Sequence, residues 1–170
     1  RSPHQASCLG IGFCPEDRKT DGIIAAASVR ENIVLALQAQ RGWLRPIPRR
    51  EQNEIAERFI RQLGIRTPSA EQPIEFLSGG NQQKVVIGKW LATHPEVIIL
   101  DEPTKGIDIG SKAAVHQFMS ELVSQGLAVI MVSSELPEVM GMADRIIVMH
   151  EGLMVAEFQA GEATAETIVS

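Results

Sequence analysis

The sequence predicts an α/β fold with a mostly parallel sheet and a helical region in its first half. The strand predicted at 97–101 is apolar up to Leu100, and residues 127–132 are a continuous apolar run; such runs are typical of strands that a parallel sheet buries on both faces. Between them, apolar residues recur at helical spacing, at Val115, Phe118, Met119, Leu122 and Val123. A strand, a helix and a second strand in this order imply a right-handed βαβ unit.

The first half of the chain predicts one strand and then two amphipathic helices. The apolar run at residues 9–14 is typical of a buried strand. Ser28 and Glu31 form a capping-box pattern that starts the first helix, and the second helix is predicted over residues 49–63. Two prolines within residues 41–48 predict a loop between these helices.

The second half continues the alternation of helices and strands. A turn of small residues at 78–80 precedes a helix predicted from Gln82 to Thr93. Ser111 is predicted to cap the helix between the two apolar strands. A short helix at residues 137–143 then leads into a hairpin over residues 145–158.

The composition indicates one domain and argues against a broad nucleic-acid-binding face. The chain has 170 residues and a net charge of −5, and its pI is about 5.4. Its one basic cluster is local, which favours a solvated loop over a membrane-surface patch: Arg41, Arg45, Arg49 and Arg50.

No apolar run approaches the ~20 residues that cross a bilayer, so we expect any membrane role to come through a partner. Cys8 and Cys14 lack metal-ligand spacing and fit a reducing compartment.

The strand predicted at 97–101 ends in an acid, Asp101, and a second acid, Glu102, follows it directly. In open α/β sheets, ligands bind at the carboxyl ends of the strands. An acid there can hold Mg²⁺ directly or through water, and the next acid can orient or deprotonate an attacking water. For Leu-Asp-Glu alone, an acidic turn is the simpler interpretation. Pro103, Thr104 and the segment at 78–84 favour the magnesium interpretation.

The segment Ser78-Gly79-Gly80 stands immediately before the helix predicted from Gln82. Free backbone N–H groups and the positive end of the helix dipole favour an anion at such a position, and glycines let the backbone approach a phosphate. Ser-Gly-Gly alone is more simply an ordinary helix cap. The polar run at 81–84 (Asn-Gln-Gln-Lys) makes the longer segment a candidate phosphate-binding element.

Together, the segments at 77–83 and 97–104 resemble the signature and Walker B motifs of ATP-binding cassette (ABC) ATPases. Three further segments narrow the resemblance to the second ATP-binding half of bacterial sugar-importer ATPases of the ribose, galactose and arabinose type: 13–19 (FCPEDRK), 106–112 (GIDIGSK) and 132–135 (VSSE). The resemblance covers Gly10 to Phe158. It implies a P-loop NTPase-like fold with a helical subdomain over residues 28–93.

A phosphate-binding Gly-x-x-x-x-Gly-Lys-Ser/Thr sequence occurs nowhere in the 170 residues. We therefore expect residues 1–170 to form a partial ABC domain that lacks the N-terminal strands and the phosphate loop. Two alternatives to an importer subunit stay open. One is a non-transport ABC protein that acts in assembly or regulation, and the other is an inert truncation product.

By position, the resemblance implies that one segment binds nucleotide: Ser78, Gly79, Gly80, Asn81 and Gln82. Ser78, Gly79 and Gly80 would touch the γ-phosphate of an ATP that a different ATP-binding half holds. Asn81 departs from the general ABC pattern, which has a glutamine there.

The resemblance also assigns a second group of residues. Asp101 would support Mg²⁺, Glu102 would activate the attacking water, and Asp108 would lie in a loop that communicates across the dimer. Glu16 stands where a glutamine usually senses Mg²⁺ and the transporter, and Ser134 replaces the catalytic switch histidine. Serine cannot take the charge or the proton of an imidazole, so we expect weakened hydrolysis at this half's own nucleotide site.

The resemblance implies ATP and Mg²⁺ as cofactors. Its implied partners are another ATP-binding half, a membrane permease and, indirectly, a periplasmic sugar-binding protein, with no nucleic acid. The implied location is the cytoplasmic face of the bacterial inner membrane. We expect permease contacts near residues 16–19 and around Trp43, whose exposure the sequence leaves open.

Overall fold

The structure, a computed structural model, describes residues 2–169 without the side chains of Ile109, Ser111 and Val169. In chain order its elements are α1 (Pro3–Cys8), β1 (Ile11–Cys14), α2 (Val29–Arg41), α3 (Arg49–Gln62), α4 (Gly79–Leu91), β2 (Val97–Asp101), α5 (Ile109–Ser124), β3 (Ala128–Val132), α6 (Leu136–Met142), β4 (Arg145–His150), β5 (Leu153–Gln159) and α7 (Ala165–Val169). A π-helical turn covers Arg18–Gly22 and a 3₁₀ turn covers Ile74–Phe76.

The sheet is parallel, as the sequence predicts, with the strand order β1-β2-β3. Its central strand β2 pairs Ile98 with Val129 and Asp101 with Val132. This register brings the loop after β2 beside the loop after β3 at one edge of the sheet. Strands β4 and β5 form a separate antiparallel hairpin with a bulge at Val148 and Met149.

The hydrophobic core lies between the sheet and the helices of the first half. Helix α4 is its centre, since Val85, Val86 and Ile87 are almost completely buried on successive positions. From the sheet side, Ile98 and Leu100 of β2 face the same cluster. A helix with three consecutive buried residues is covered on most of its circumference. The position of its N-terminus is therefore fixed by packing on several sides.

The start of α2 confirms the capping box predicted from the sequence. The hydroxyl of Ser28 accepts a hydrogen bond from the Glu31 amide at 3.2 Å, and the Ser28 amide donates to Glu31 Oε2 at 2.8 Å. Helix α1 was not predicted, although Ser2 and Gln5 form the same kind of box at its start.

Two predicted helix starts differ from the structure. Helix α4 begins at Gly79, not at Gln82, because the Gln82 amide already donates to the Ser78 carbonyl at 2.9 Å and so closes the first helical turn. Helix α5 begins at Ile109, two residues before the predicted cap; the side chain of Ser111 lies outside the described part of the structure. On α5 the predicted apolar stripe is buried except for Val123, which is 48% exposed.

The prediction that the strand at 127–132 is covered on both faces is wrong for the described chain. Ile130 and Val132 of β3 are about half exposed. The physical reason is that the exposed residues alternate with the half-buried Val129 and Met131, so one face of β3 has no element packed on it within residues 2–169. An apolar strand sequence predicts burial, but only neighbouring elements provide it.

Helices α2, α3 and α4 all lie within residues 28–93, the range predicted as a helical subdomain. One continuous cluster of buried residues joins these helices to β1 and β2, so a boundary at 28 and 93 stays a prediction. Within the described residues, no helix combines the length and apolar character needed to cross a membrane.

Candidate functional site

The N-terminus of α4 is formed by the small residues of the signature segment. Ser78 has an extended backbone, and its side chain does not cap the helix. Instead, Asn81 Nδ2 donates to the Ser78 hydroxyl oxygen at 2.9 Å, and Asn81 Oδ1 accepts from the Arg66 amide at 2.8 Å. Asn81 therefore fixes Ser78 against the chain that leads out of α3. The first-turn amides of α4 lack a side-chain cap, which suits them to an anionic ligand.

Gly79 is the first residue of α4, and a side chain there would collide with Arg18. A β-carbon there would lie 2.6 Å from Nη2 of Arg18. Nη1 of the same guanidinium donates to the carbonyl of Lys105 at 3.1 Å. Arg18 thus connects the signature segment to the loop that follows the acid pair. The charged run at residues 16–19 was the sequence signal for this residue, but its contacts were not predicted.

Gln82 is buried and supports the turn that precedes the signature segment. Its Nε2 donates to the carbonyls of Ile74 and Leu77 at 3.2 and 3.1 Å. A direct role for Gln82 in nucleotide binding stays a prediction. Gly80 is buried next to Gly79 in the first turn of α4.

The acid pair lies at the carboxyl end of β2, as predicted. Burial is the main cause that raises the pKa of Asp101, and the nearby carboxylates of Glu16 and Glu102 raise it further. Lys105 acts in the opposite direction on Asp101 and forms an ion pair with Glu16. The hydrogen bond to Glu16 raises the pKa of Lys105. Glu16, Asp101 and Glu102 therefore form one acidic group with a single lysine among them.

Glu102 has an unusual backbone and a defined side-chain contact. Its φ is +46°, which is uncommon for a residue other than glycine, and its amide donates to the Val132 carbonyl at 2.8 Å. Its carboxylate oxygen Oε1 accepts a hydrogen bond from the backbone amide of Ser134 at 2.8 Å. The structure thus brings together Glu102 and Ser134, the two residues that the resemblance assigns to catalysis.

A buried carboxylate, Glu138, lies behind this contact and was not singled out from the sequence. His116 Nε2 and the Ser133 hydroxyl both lie 2.6 Å from its oxygens, and the Thr104 hydroxyl is a third donor. Burial alone would raise the pKa of Glu138, but these hydrogen bonds together lower it. His116 of α5 makes a structural contact with Glu138.

Asp108 lies in the loop between β2 and α5, where it is exposed, and its carbonyl accepts from the Lys112 amide at 3.0 Å. The predicted site residues therefore fall into two groups in one chain. One group surrounds the N-terminus of α4, and the other lies at the carboxyl end of the sheet. Arg18 and Lys105 connect the two.

The residues present are compatible with Mg²⁺ bound together with a nucleotide. Among the described residues, no three His, Cys, Asp or Glu side chains form a metal-binding cluster. Mg²⁺ commonly takes only one or two carboxylates and completes its shell with phosphate and water. The raised pKa of Asp101 among like charges is the condition that a cation relieves.

Comparison with known proteins finds relatives that match the whole chain. The family profile described as ABC transporter matches residues 3–105. The galactofuranose transporter ATP-binding protein YtfR of Escherichia coli (strain K12) is 67% identical over 170 residues, which are 100% of this chain and 34% of that protein. The ribose import ATP-binding protein RbsA of Roseobacter denitrificans is 55% identical over 99% of this chain and 33% of its own length. The chain spans about a third of the length of the curated relatives it matches.

Solved structures show the same fold. The dimeric post-hydrolysis state of the ATP-binding cassette MJ0796 bound to ADP and Pi superposes with a TM-score of 0.74 and 26% identity, over 88% of this chain and 62% of that chain. An inward-facing putative metal-chelate type ABC transporter gives a TM-score of 0.81 at 20% identity, over 94% of this chain and 62% of that one, which supports the fold alone.

Proposed function

This chain belongs to the ABC transporter family, and on that premise we propose that it works within the ATP-binding subunit of a bacterial sugar importer. The observation that carries the proposal is the 67% identity to a galactofuranose transporter ATP-binding protein over the whole chain. The positions of the two motifs support it, since the signature segment opens α4 and the acid pair ends β2.

In this proposal the chain supplies parts of two ATP sites. The backbone amides of Ser78, Gly79 and Gly80 at the N-terminus of α4 face the γ-phosphate of an ATP that another ATP-binding half holds. Asn81 acts there by fixing Ser78, since its amide group contacts the Ser78 hydroxyl. Gly79 keeps the approach free of a side chain next to Arg18.

At the second site, Asp101 supports Mg²⁺ and Glu102 orients the attacking water. Bound ATP with Mg²⁺ supplies the phosphoryl group whose hydrolysis drives transport. Glu16 lies beside Asp101 and is paired with Lys105, so it can report the charge of this site to the segment that carries Arg18. Asp108 lies in the following loop and contributes to contact with the partner half.

The two ATP sites are not equivalent in this proposal. Ser134 contacts Glu102 through its backbone amide and offers a hydroxyl where a histidine would offer an imidazole. A hydroxyl does not become cationic near neutral pH, so it cannot stabilise developing negative charge in the same way. The site completed by the signature segment is therefore the stronger one.

We further propose that a membrane permease docks on the loop between α2 and α3. Trp43 and Leu44 in this loop are 68% and 98% exposed, and Arg41 and Arg45 flank them. Exposed aromatic and arginine side chains are frequent anchors of protein interfaces. Docking through this loop would place the subunit at the cytoplasmic face of the inner membrane, with a periplasmic sugar-binding protein as an indirect partner.

Uptake by membrane vesicles tests the proposal. The full-length subunit that carries this sequence is co-expressed with the galactofuranose-type permease, and ATP-dependent sugar uptake is measured with and without the Gly79→Asp substitution. We expect uptake that depends on ATP and is lost in Gly79→Asp. Stable ATPase activity with no permease association and no uptake would favour the non-transport alternative instead.

A further inference from the structure

Glu138 is a buried carboxylate held by donors from three separate segments. Its side chain is 3% exposed. The donors are Thr104 after β2, His116 of α5 and Ser133 directly after β3. An ionised carboxylate only accepts hydrogen bonds, so Nε2 of His116 carries the proton in this pair. Three converging donors compensate the burial of the charge and leave the carboxylate little freedom to move.

The contacts continue from Glu138 towards the acid pair. Ser133 donates its hydroxyl proton to Glu138 at 2.6 Å, and its oxygen accepts from the Glu135 amide at 3.1 Å. The turn 133–135 is thereby closed on itself and attached to α6. The residue in the middle of this turn is Ser134, whose amide donates to Glu102 Oε1 at 2.8 Å.

We propose that Glu138 is a positioning residue for Glu102: it fixes the turn 133–135 so that the backbone amide of Ser134 holds the Glu102 carboxylate. One Glu102 oxygen is occupied by this amide, and the other is directed by the same contact. The catalytic meaning of this role rests on the function proposed above, in which Glu102 orients water. The geometric part does not depend on it.

The side chain of Ser134 takes no part in the contact with Glu102. The contact to Glu102 is made by a backbone N–H, which every residue except proline retains. Replacing the Ser134 side chain should therefore leave Glu102 in place, whereas replacing Glu138 should release it. Glu138, which orients Glu102, then lies four positions after Ser134, which contacts it.

Hydrogen exchange in the full-length subunit tests the geometric part without requiring activity. Glu138→Ala should raise the exchange rate of the Ser134 amide by about tenfold, the size expected for losing one charge-assisted hydrogen bond. Glu138→Gln keeps the shape and provides a second variant if the alanine variant does not fold. Ser134→Ala and the exposed neighbour Glu135→Gln are the matched controls, and both should leave this amide protected. Unchanged exchange in both Glu138 variants would overturn the proposal.

ATPase kinetics test whether Glu138 acts through Glu102. We expect Glu138→Gln to lower kcat with little change in KM for ATP, and to have no further effect when Glu102→Gln is already present. Equal losses in both backgrounds would show a general structural role and would sink the positioning role. These assays use the full-length subunit. If its unmodified form shows no ATPase activity at all, the proposed function fails, while the exchange experiment still decides the role of Glu138.

Discussion

The guanidinium of Arg18 occupies the space that a β-carbon at Gly79 would need, with Nη2 only 2.6 Å from that position. A real β-carbon there would force the arginine to move. The same guanidinium donates to the Lys105 carbonyl, so moving it also disturbs the loop after the acid pair. Substitution of Gly79 therefore affects both groups of site residues, although it lies in only one of them.

Gly79→Asp should reduce kcat of the full-length subunit more than Glu102→Gln does. The aspartate adds a negative charge where a phosphate must approach, at the site proposed to be stronger. Glu102→Gln acts at the site that Ser134 already weakens, so its cost should be smaller. Loss of one essential contact of this kind commonly lowers kcat by about 100-fold or more. Steady-state ATPase assays of both variants give the comparison.

Gly141→Asp is the matched control for the Gly79 substitution, because a β-carbon at Gly141 meets nothing within 4 Å. It introduces the same charge in α6 and should leave kcat nearly unchanged. A larger loss in Glu102→Gln than in Gly79→Asp would mean that the strong and weak sites are assigned the wrong way round.

Residues 1–170 alone should neither hydrolyse ATP nor bind it tightly. The chain contains no phosphate-binding loop and no lysine from one to grip the β- and γ-phosphates. The exposed residues Ile130 and Val132 on β3 should also promote aggregation, which light scattering detects. Turnover by the purified chain that disappears in Glu102→Gln would contradict this expectation.

Local sequence signals predicted the elements that position the site, but not its cross-chain contacts. The strand at 97–101 and the capping box at Ser28 depend on residues a few positions apart, and both were confirmed. Arg18 contacts Lys105 across 87 positions, and no periodic pattern records such a pair. For the same reason Glu138 was missed, since its donors come from three segments that only the folded sheet brings together.

Asn32 should stabilise the fold through its side chain. It is buried on α2, where Oδ1 accepts from the Ile24 amide at 2.8 Å and Nδ2 donates to the Ile24 and Ser28 carbonyls at 3.1 and 3.0 Å. Asn32→Ala leaves the Ile24 amide without its acceptor, whereas the Ile24 and Ser28 carbonyls keep the Ala27 and Asn32 amides as donors. The substitution should lower the free energy of unfolding by about 2 kcal/mol. Urea denaturation of the full-length subunit measures the change.

Asn53→Ala on α3 is the control with the same chemistry. Within the described residues, Oδ1 of Asn53 is buried without a hydrogen-bond partner, and alanine favours the helix more than asparagine does. This variant should be neutral or slightly more stable. Equal losses in Asn32→Ala and Asn53→Ala would show that the hydrogen bonds of Asn32 contribute nothing specific.

The capping box of α2 should make stability depend on pH in the acid range. The hydrogen bond from the Ser28 amide, followed by the one from its hydroxyl, lowers the pKa of Glu31. A carboxylate with a lowered folded pKa stabilises the fold above its ordinary pKa, and this contribution is lost as pH falls through the folded value. Glu31→Gln should therefore have a flatter acid limb of stability against pH. Glu57→Gln, an exposed change on α3, should keep the slope of the unmodified protein.

Charge reversal at Arg18 should reduce transport, since Arg18 connects the signature segment to Lys105.

Trp43→Ala should weaken permease co-purification and transport without lowering the melting temperature by more than about 2 °C, because the side chain is 68% exposed. The second tryptophan, Trp90, packs against the core and provides the contrast. Trp90→Ala should lower the melting temperature clearly while the folded fraction still binds the permease. A sharp fall in the melting temperature of Trp43→Ala, with permease binding of the folded fraction intact, would place Trp43 in a structural role and move the docking surface elsewhere.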